Sequence, residues 1–276
     1  MSRNYKVSII TICWNCVKEI EETLLSVIKQ DYPNIEYIVI DGASTDGTLE
    51  IIQKYRENID IFISEKDAGI YNAMNKGVML ATGEWCLFMN GGDMFASDNI
   101  ISQMFVFRQP MPTTKVYYGN TWERYKNGEQ VLLKAMPIYP TIKRCQPYIH
   151  QSAFFNIIYK KYPFYDERYH IVSDYNTSLW YYKKYGKSAF EYVNIPVSSY
   201  KNFDGASSRQ ENQRKKICEF LKIWKHNPIC WSRYTREAIK YFIIYIQPFS
   251  FFKNITNSYT KNRVMENKRK RTLQKH

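Results

Sequence analysis

Asp93 stands at the end of the apolar run "EWCLFMN", behind two glycines in "MNGGDMF". A carboxylate at a strand end can help hold a divalent cation, and through it a phosphate. One acid is a thin metal site, so either the site borrows ligands from elsewhere or the stretch is only a turn. Other polar groups follow apolar runs in the same way: Trp14 and Asn15 after "VSIITI", Asp41 closing "IEYIVID", and Asp67 soon after "IDIFIS". Cys13 and Cys16 form a C-x-x-C pair that could be a redox or zinc pair. A zinc site would need a second pair at matching spacing, and the sequence has none.

The elements that must position these residues are readable in the first hundred residues. "KVSIITI" (6–12), "IEYIVID" (35–41), "IDIFIS" (59–64) and "EWCLFMN" (84–90) are short, continuous apolar runs, the pattern of buried strands. Helical segments alternate with them at 19–30, 44–57 and 69–82, the first with Ile20, Leu24, Val27 and Ile28 on one face. Ser44 or Asp46 in "STDGT" is placed to cap the second helix. This alternation predicts a doubly wound, mostly parallel α/β sheet. Ligands bind such sheets beyond the carboxyl ends of the strands, where the polar residues above collect. Beyond about residue 110 the pattern becomes mixed, with strands in "KVYYGNTWERY", "EQVLLKAM" and "EYVNIPVSSY" and helices at 170–186 and 211–227.

Composition bounds the class. The chain has 276 residues, 45% of them apolar, enough for a real core. No run of eighteen apolar residues is present, so no transmembrane helix is expected, and the start runs straight into a strand pattern without a signal peptide. Six scattered cysteines suit a reducing cytoplasm. The formal net charge is +13, and all of it lies in residues 209–276, with 17 Lys and Arg against 4 Asp and Glu; the preceding 208 residues hold 22 of each. A neutral body with a basic tail suggests a catalytic domain tethered to something anionic. In the tail, "EAIKYFIIYIQPFSFFKN" (237–254) is too short to span a bilayer, is interrupted by Pro248, and suits an interfacial segment.

The stretches "VSIITICWN", "DGASTDGT", "DAGIYNAMNKG", "NGGD", "HQSAFF" and "FYDERYHIVSDYN", in this order, resemble the family 2 glycosyltransferases with the GT-A fold. The likeness covers roughly residues 5–208 and leans toward the bacterial branch that builds capsule, exopolysaccharide and O-antigen units. It implies a GT-A catalytic domain over 1–208, with a nucleotide-binding half (about 1–109) and an acceptor-binding half (about 110–208), followed by a basic, aromatic helical extension over 209–276. It also implies an inverting transfer of sugar from a nucleotide-sugar donor to an acceptor hydroxyl, with Mn²⁺ or Mg²⁺.

Carried over residue by residue, the resemblance puts Thr11, Trp14 and Asn15 on the nucleotide, with Trp14 beside the base, where a flat ring can stack. It gives Asp41 a hydrogen bond to the base or ribose, which suits uracil and so a UDP-sugar. Asp67, Lys76 and Asn90 fall to the donor, with the helix start after Gly69 facing its phosphates. Asp93 takes the final acid of the family's Asp-x-Asp and touches the metal; the first acid is missing here. A nucleotide diphosphate brings oxygens of its own, so one acid suffices if the ion arrives with the donor. The two glycines would let the backbone approach ribose and diphosphate. Asp174 becomes the general base that takes the acceptor proton. His150 would contact acceptor or diphosphate, and "NFDGASS" (202–208) would be a flexible loop over the donor.

The expected acceptor is a glycan or lipid-linked sugar at the inner face of the cell membrane, with the tail on the anionic surface and the protein cytoplasmic and peripheral. A sugar nucleotidyltransferase would share the sheet but carries a glycine- and lysine-rich loop after its first strand, which "CWNCVKEIEE" lacks. A nucleic-acid-binding protein would spread its basic residues over a folded face, whereas here they trail off the end, so no nucleic-acid partner is expected.

Overall fold

The computed structural model describes residues 3–201 and 212–246. Contacts divide the chain into two units, Met1–Phe220 and Leu221–His276. The first is built from β1 (Val7–Cys13), α1 (Ile20–Ile28), β2 (Ile35–Asp41), α2 (Thr48–Lys54), β3 (Ile61–Ser64), α3 (Ile70–Leu80), β4 (Trp85–Phe88), β5 (Met94–Phe95), α4 (Ile100–Phe105), β6 (Val116–Arg124), β7 (Gln130–Leu133), α5 (Ile138–Thr141), β8 (Ala153–Asn156), α6 (Ser173–Tyr185) and β9 (Phe190–Lys201). Then come α7 (Gln213–Lys225) and α8 (Trp231–Ile246). The expected tail boundary at 208/209 differs from the contact boundary at 220/221 for a local reason. Glu219 on α7 accepts hydrogen bonds from the backbone N–H groups of His170 (2.9 Å), Ile171 (2.9 Å) and Val172 (3.3 Å), which ties the first turns of α7 to the first unit.

One sheet runs in the order β3-β2-β1-β4-β8-β6-β9-β5, with β7 on β6. The first four strands are parallel. β8 joins β4 antiparallel, and β6, β9 and β5 continue a mixed half. The expected parallel half and mixed extension are therefore two parts of one continuous sheet. Every residue of β1 is buried, which explains its continuous apolar run. In α1, Ile20, Leu24 and Val27 are buried as the spacing predicts, and Glu21 and Glu22 lie in the first turn, favourable to the helix dipole. Beneath the mixed half, Phe105 packs edge-on against Phe154 (centroids 5.1 Å apart) and Tyr117 (5.9 Å), an aromatic core bridging β6 and β8.

A buried acid holds the far end of the sheet. Glu36 on β2 accepts from Lys6 Nζ (2.8 Å), Ser8 Oγ (2.6 Å), the Thr82 N–H (2.8 Å) and the Thr82 hydroxyl. Burial alone would push its carboxyl up, but these hydrogen bonds outweigh it and hold the pKa down to about 2. An acid lowered on folding adds stability above its unfolded pKa and loses it as pH falls toward the folded value. Glu36→Gln should therefore lose roughly 2–3 kcal/mol at pH 7 and show less loss of stability between pH 5 and 2 than wild type. Urea unfolding at both pH values reads this; parallel acid curves for the two proteins would contradict it.

In the second unit, Arg233 pairs with Glu237 one turn on (2.9 Å) and its guanidinium lies over Trp224 (5.7 Å). Among the described residues no helix is long and apolar enough to cross a membrane. "NFDGASS" and residues 247–276 lie outside the described residues.

Candidate active site

The expected residues lie in and just after β1, at the end of β2, after β3 and β4, in α3, before β8 and at the start of α6, and they fall into two kinds. Some spend their polar atoms inside the protein. Thr11, expected on the nucleotide, is fully buried within β1 and shares a hydrogen bond with the Tyr37 hydroxyl (3.0 Å). Asp41 is also fully buried: it accepts from the Ser44 N–H (2.9 Å), Ser44 Oγ (2.5 Å) and Ser64 Oγ (2.7 Å), bracing the turn against β3. Its carboxylate is engaged before any base arrives. Asn15, in the left-handed region at φ 46°, completes that brace: its N–H donates to Ser44 Oγ (2.8 Å) and its Oδ1 accepts from the Thr45 N–H (2.9 Å). Neither Ser44 nor Asp46 is the N-cap of α2, which is Gly47 at φ 98°, without a side-chain cap; Asp46 instead accepts from the Thr48 N–H (3.1 Å) two residues on, a local turn contact.

Other residues stay open. The Trp14 ring is 68% exposed. A Cβ added to Gly42 would come within 3.2 Å of Asp67 Oδ2 and 3.3 Å of Trp14 Cδ1, so the ring and the carboxylate flank this glycine. Lys76 reaches Asp67 and Glu65, each at 2.6 Å. Burial works against its charge, but the two carboxylates outweigh that and hold its pKa above the ordinary value. A diphosphate would have to draw this ammonium from two acids.

The two glycines of "NGGD" also meet needs of the protein itself. A Cβ on Gly91 would lie 2.8 Å from Cys16 Sγ, and Gly92 has φ 96°. Cys13 and Cys16 are free thiols. Cys13 turns its thiol toward Asp41 Oδ1 (3.6 Å), and among the described residues no group of three or more His, Cys, Asp or Glu could hold a metal.

Asp93 is buried, and Gln151 Nε2 donates to its Oδ2 (2.7 Å). Burial pushes its carboxyl up to about 7 against the Gln151 hydrogen bond and the charges of Arg124 and Lys201. Asn90 and Gln151 each carry a buried side-chain oxygen without a hydrogen-bond partner, Asn90 Oδ1 and Gln151 Oε1. A desolvated carboxyl, with unpaired amide oxygens on Asn90 three residues before it and on Gln151, which hydrogen-bonds to it, fits a hard cation, which takes oxygen ligands.

On the other side, Asp174 opens α6. The loop before it is held by Glu219 and by Ser173 Oγ, which donates to the Asp166 carbonyl (3.0 Å). Tyr71 donates to Asp174 Oδ1 (3.3 Å), and His150 Nδ1 stands 3.9 Å from Oδ2. Two consecutive residues, His150 and Gln151, thus reach the two acids that the sequence singles out. Neither Gln151 nor Tyr71 was singled out by sequence reasoning, although both lie in stretches that carry the resemblance, "HQSAFF" and "DAGIYNAMNKG".

The fold is an α/β sheet with a parallel half and a mixed extension, and the candidate site lies at strand ends and at the start of α6. The model of glycosyl transferase family 2 matches residues 8–184, so the chain belongs to that family and is a glycosyltransferase. It is 27% identical to the PGL/p-HBAD biosynthesis glycosyltransferase of Mycobacterium tuberculosis over 224 residues, 78% of this chain and 82% of the relative. It is 36% identical over 101 residues to the putative teichuronic acid biosynthesis glycosyltransferase TuaG of Bacillus subtilis, 36% of this chain and 40% of the relative. Among solved structures it shares its fold with S. aureus TarS 1-349 in complex with UDP-GlcNAc (TM-score 0.60, 19% identity, 81% of this chain and 67% of that one). The same holds for the mannosyltransferase PcManGT of Pyrobaculum calidifontis with GDP-Man and Mn²⁺ (TM-score 0.55, 15% identity, 81% and 64%).

Proposed function

We propose that the chain transfers a sugar, with inversion, from a nucleotide-sugar donor to a hydroxyl of a glycan or lipid-linked acceptor in surface polysaccharide assembly. The observation that carries this reading is the His150–Gln151 pair, which reaches Asp174 with one residue and Asp93 with the next. A transfer of this kind needs two acids in separate roles. Asp174, partly exposed at the start of α6, takes the proton of the attacking hydroxyl as the bond from the anomeric carbon to the diphosphate breaks. Asp93, with the amide oxygens of Asn90 and Gln151, would hold Mn²⁺ or Mg²⁺. When bound, such a cation supplies positive charge against the leaving diphosphate. Trp14 offers an open ring to the base, and Asp67 lies beside it. UDP-GlcNAc bound to TarS and GDP-Man bound to PcManGT support a nucleotide-sugar donor for this chain too.

A melting screen of UDP-, GDP- and dTDP-sugars with and without Mn²⁺ tests the reading. One nucleotide class should raise Tm, and more so with Mn²⁺. No shift with any of them at millimolar concentration would count against a donor site.

The basic tail supports placement at an anionic membrane surface. Residues 247–276 hold eight Lys and Arg against one Glu. Removing them should weaken sedimentation with vesicles containing anionic lipid while leaving Tm and nucleotide binding in place. Unchanged sedimentation of a folded truncation would contradict membrane attachment through the tail.

A further inference from the structure

We propose that Tyr71 and His150 are positioning residues for the Asp174 carboxylate, one for each oxygen, with the ring hydrogen of His150 on the nitrogen that faces it. The inference rests on the reading of Asp174 as the base. Its observations are three contacts in series: Tyr71 Oη to Asp174 Oδ1 at 3.3 Å, His150 Nδ1 to Asp174 Oδ2 at 3.9 Å, and His150 Nε2 to Asn90 Nδ2 at 3.2 Å.

The hydrogens follow from the donor inventory. An ionised carboxylate only accepts, and an amide NH₂ only donates. Asp174 can only accept, so the nitrogen that faces it is the one that carries the hydrogen, and Nε2 is left to accept from the Asn90 amide, whose Nδ2 lies 3.2 Å away. The ring hydrogen is then on Nδ1, the nitrogen that faces Asp174. At 3.9 Å this is a charge–dipole contact and not a hydrogen bond; such contacts are often long before substrate binds and tighten in the complex. The titratable groups facing Asp174 are Tyr71 from α3, His150 and Tyr148 from the segment before β8, and Tyr165 from the loop before α6. Burial raises all three tyrosines, so they are neutral hydroxyls at pH 7. Burial lowers His150, and Asp174 works in the opposite direction.

With Tyr71 bonded to one oxygen and the Nδ1–H dipole of His150 facing the other, one orientation of the carboxylate is favoured, and each oxygen keeps a lone pair for the acceptor proton. Orientation of this kind is a large part of what an active site contributes. The series also joins the two halves of the reaction: Asn90 precedes the "GGD" turn, and Asp93 donates its N–H to the Asn90 carbonyl (2.9 Å).

Nitrogen-15 spectra of the histidine rings in the full chain test the tautomer directly, with His150 identified by the signals lost in His150→Gln. The expected result at pH 8 is a neutral ring carrying its hydrogen on Nδ1, a preference that weakens in Asp174→Asn, where an amide replaces the accepting carboxylate. A ring carrying its hydrogen on Nε2, or a tautomer balance that Asp174→Asn leaves unmoved, overturns the His150 part. Tyr71→Phe keeps the ring that packs on Tyr165 (centroids 5.1 Å apart) and removes only the hydroxyl. With the donor that wild type turns over, and water as acceptor, its kcat should fall about tenfold with donor KM unchanged, the pattern of a contact that matters only in the transition state. A kcat equal to wild type overturns the Tyr71 part while leaving the base reading intact. A wild-type rate in Asp174→Asn overturns the base reading itself, and this inference with it.

Discussion

Asp174→Asn is expected to transfer sugar about 10²- to 10⁴-fold more slowly than wild type in a single turnover, with donor affinity nearly unchanged. The amide keeps the size of the side chain but cannot take a proton. Its Oδ1 can still accept from Tyr71, so the start of α6 should keep its place. The loop before the helix is held independently, by Glu219 and by Ser173, so the substitution leaves the fold of this end of the site intact. Rapid-quench transfer beside a donor titration checks both halves of the expectation. A variant that transfers at the wild-type rate has its base elsewhere. A variant that stays folded but loses donor would place Asp174 on the donor side.

The second large effect belongs to Asp93, and it has two signs. Because burial lifts its carboxyl to about 7, well above the unfolded value, Asp93 favours the folded state at low pH. That contribution is lost as pH rises through about 7, where the buried group must ionise. Asp93→Asn removes the ionisation, so at pH 8 it should melt higher than wild type, by roughly 2–4 °C for each kcal/mol relieved. The same variant should lose the Mn²⁺-dependent part of nucleotide binding and, with it, turnover. More stability with less binding is the expected signature of a functional acid kept at a cost to the fold. Differential scanning at pH 5 and pH 8 checks the first part. A variant that melts lower than wild type at pH 8 would instead make Asp93 a structural acid.

Much of the donor half was legible because its signals are local. β1 to β4 are continuous apolar runs, and the acids that follow them mark the strand ends. β5 was not legible: at two residues it is too short for any periodicity, and pairing with β9 makes it a strand; β8, as short as β3 and β4, lies outside the strand–helix alternation that marks those two, and pairing with β4 and β6 makes it a strand. The strand-end residues were found, but their orientation was not. Thr11 and Asp41 are withdrawn by partners 26 and 23 residues away, Tyr37 and Ser64. Gln151 meets Asp93 across 58 residues, and Tyr71 meets Asp174 across 103. No spacing rule reaches that far, so the residues that tune the two acids become visible only when the chain is folded. The same holds for α7, whose basic, amphipathic pattern was plain but whose Glu219 could not be matched to the amides before Asp174.

The division of labour between the two acids is tested most directly by titrating UDP calorimetrically, with and without Mn²⁺, into Asp93→Asn and Asp174→Asn side by side; if the melting screen selects another base, its diphosphate replaces UDP. The account predicts that Asp174→Asn keeps the enhancement of nucleotide affinity by Mn²⁺ and that Asp93→Asn loses it. Equal loss in both variants, or loss in Asp174→Asn alone, would contradict it.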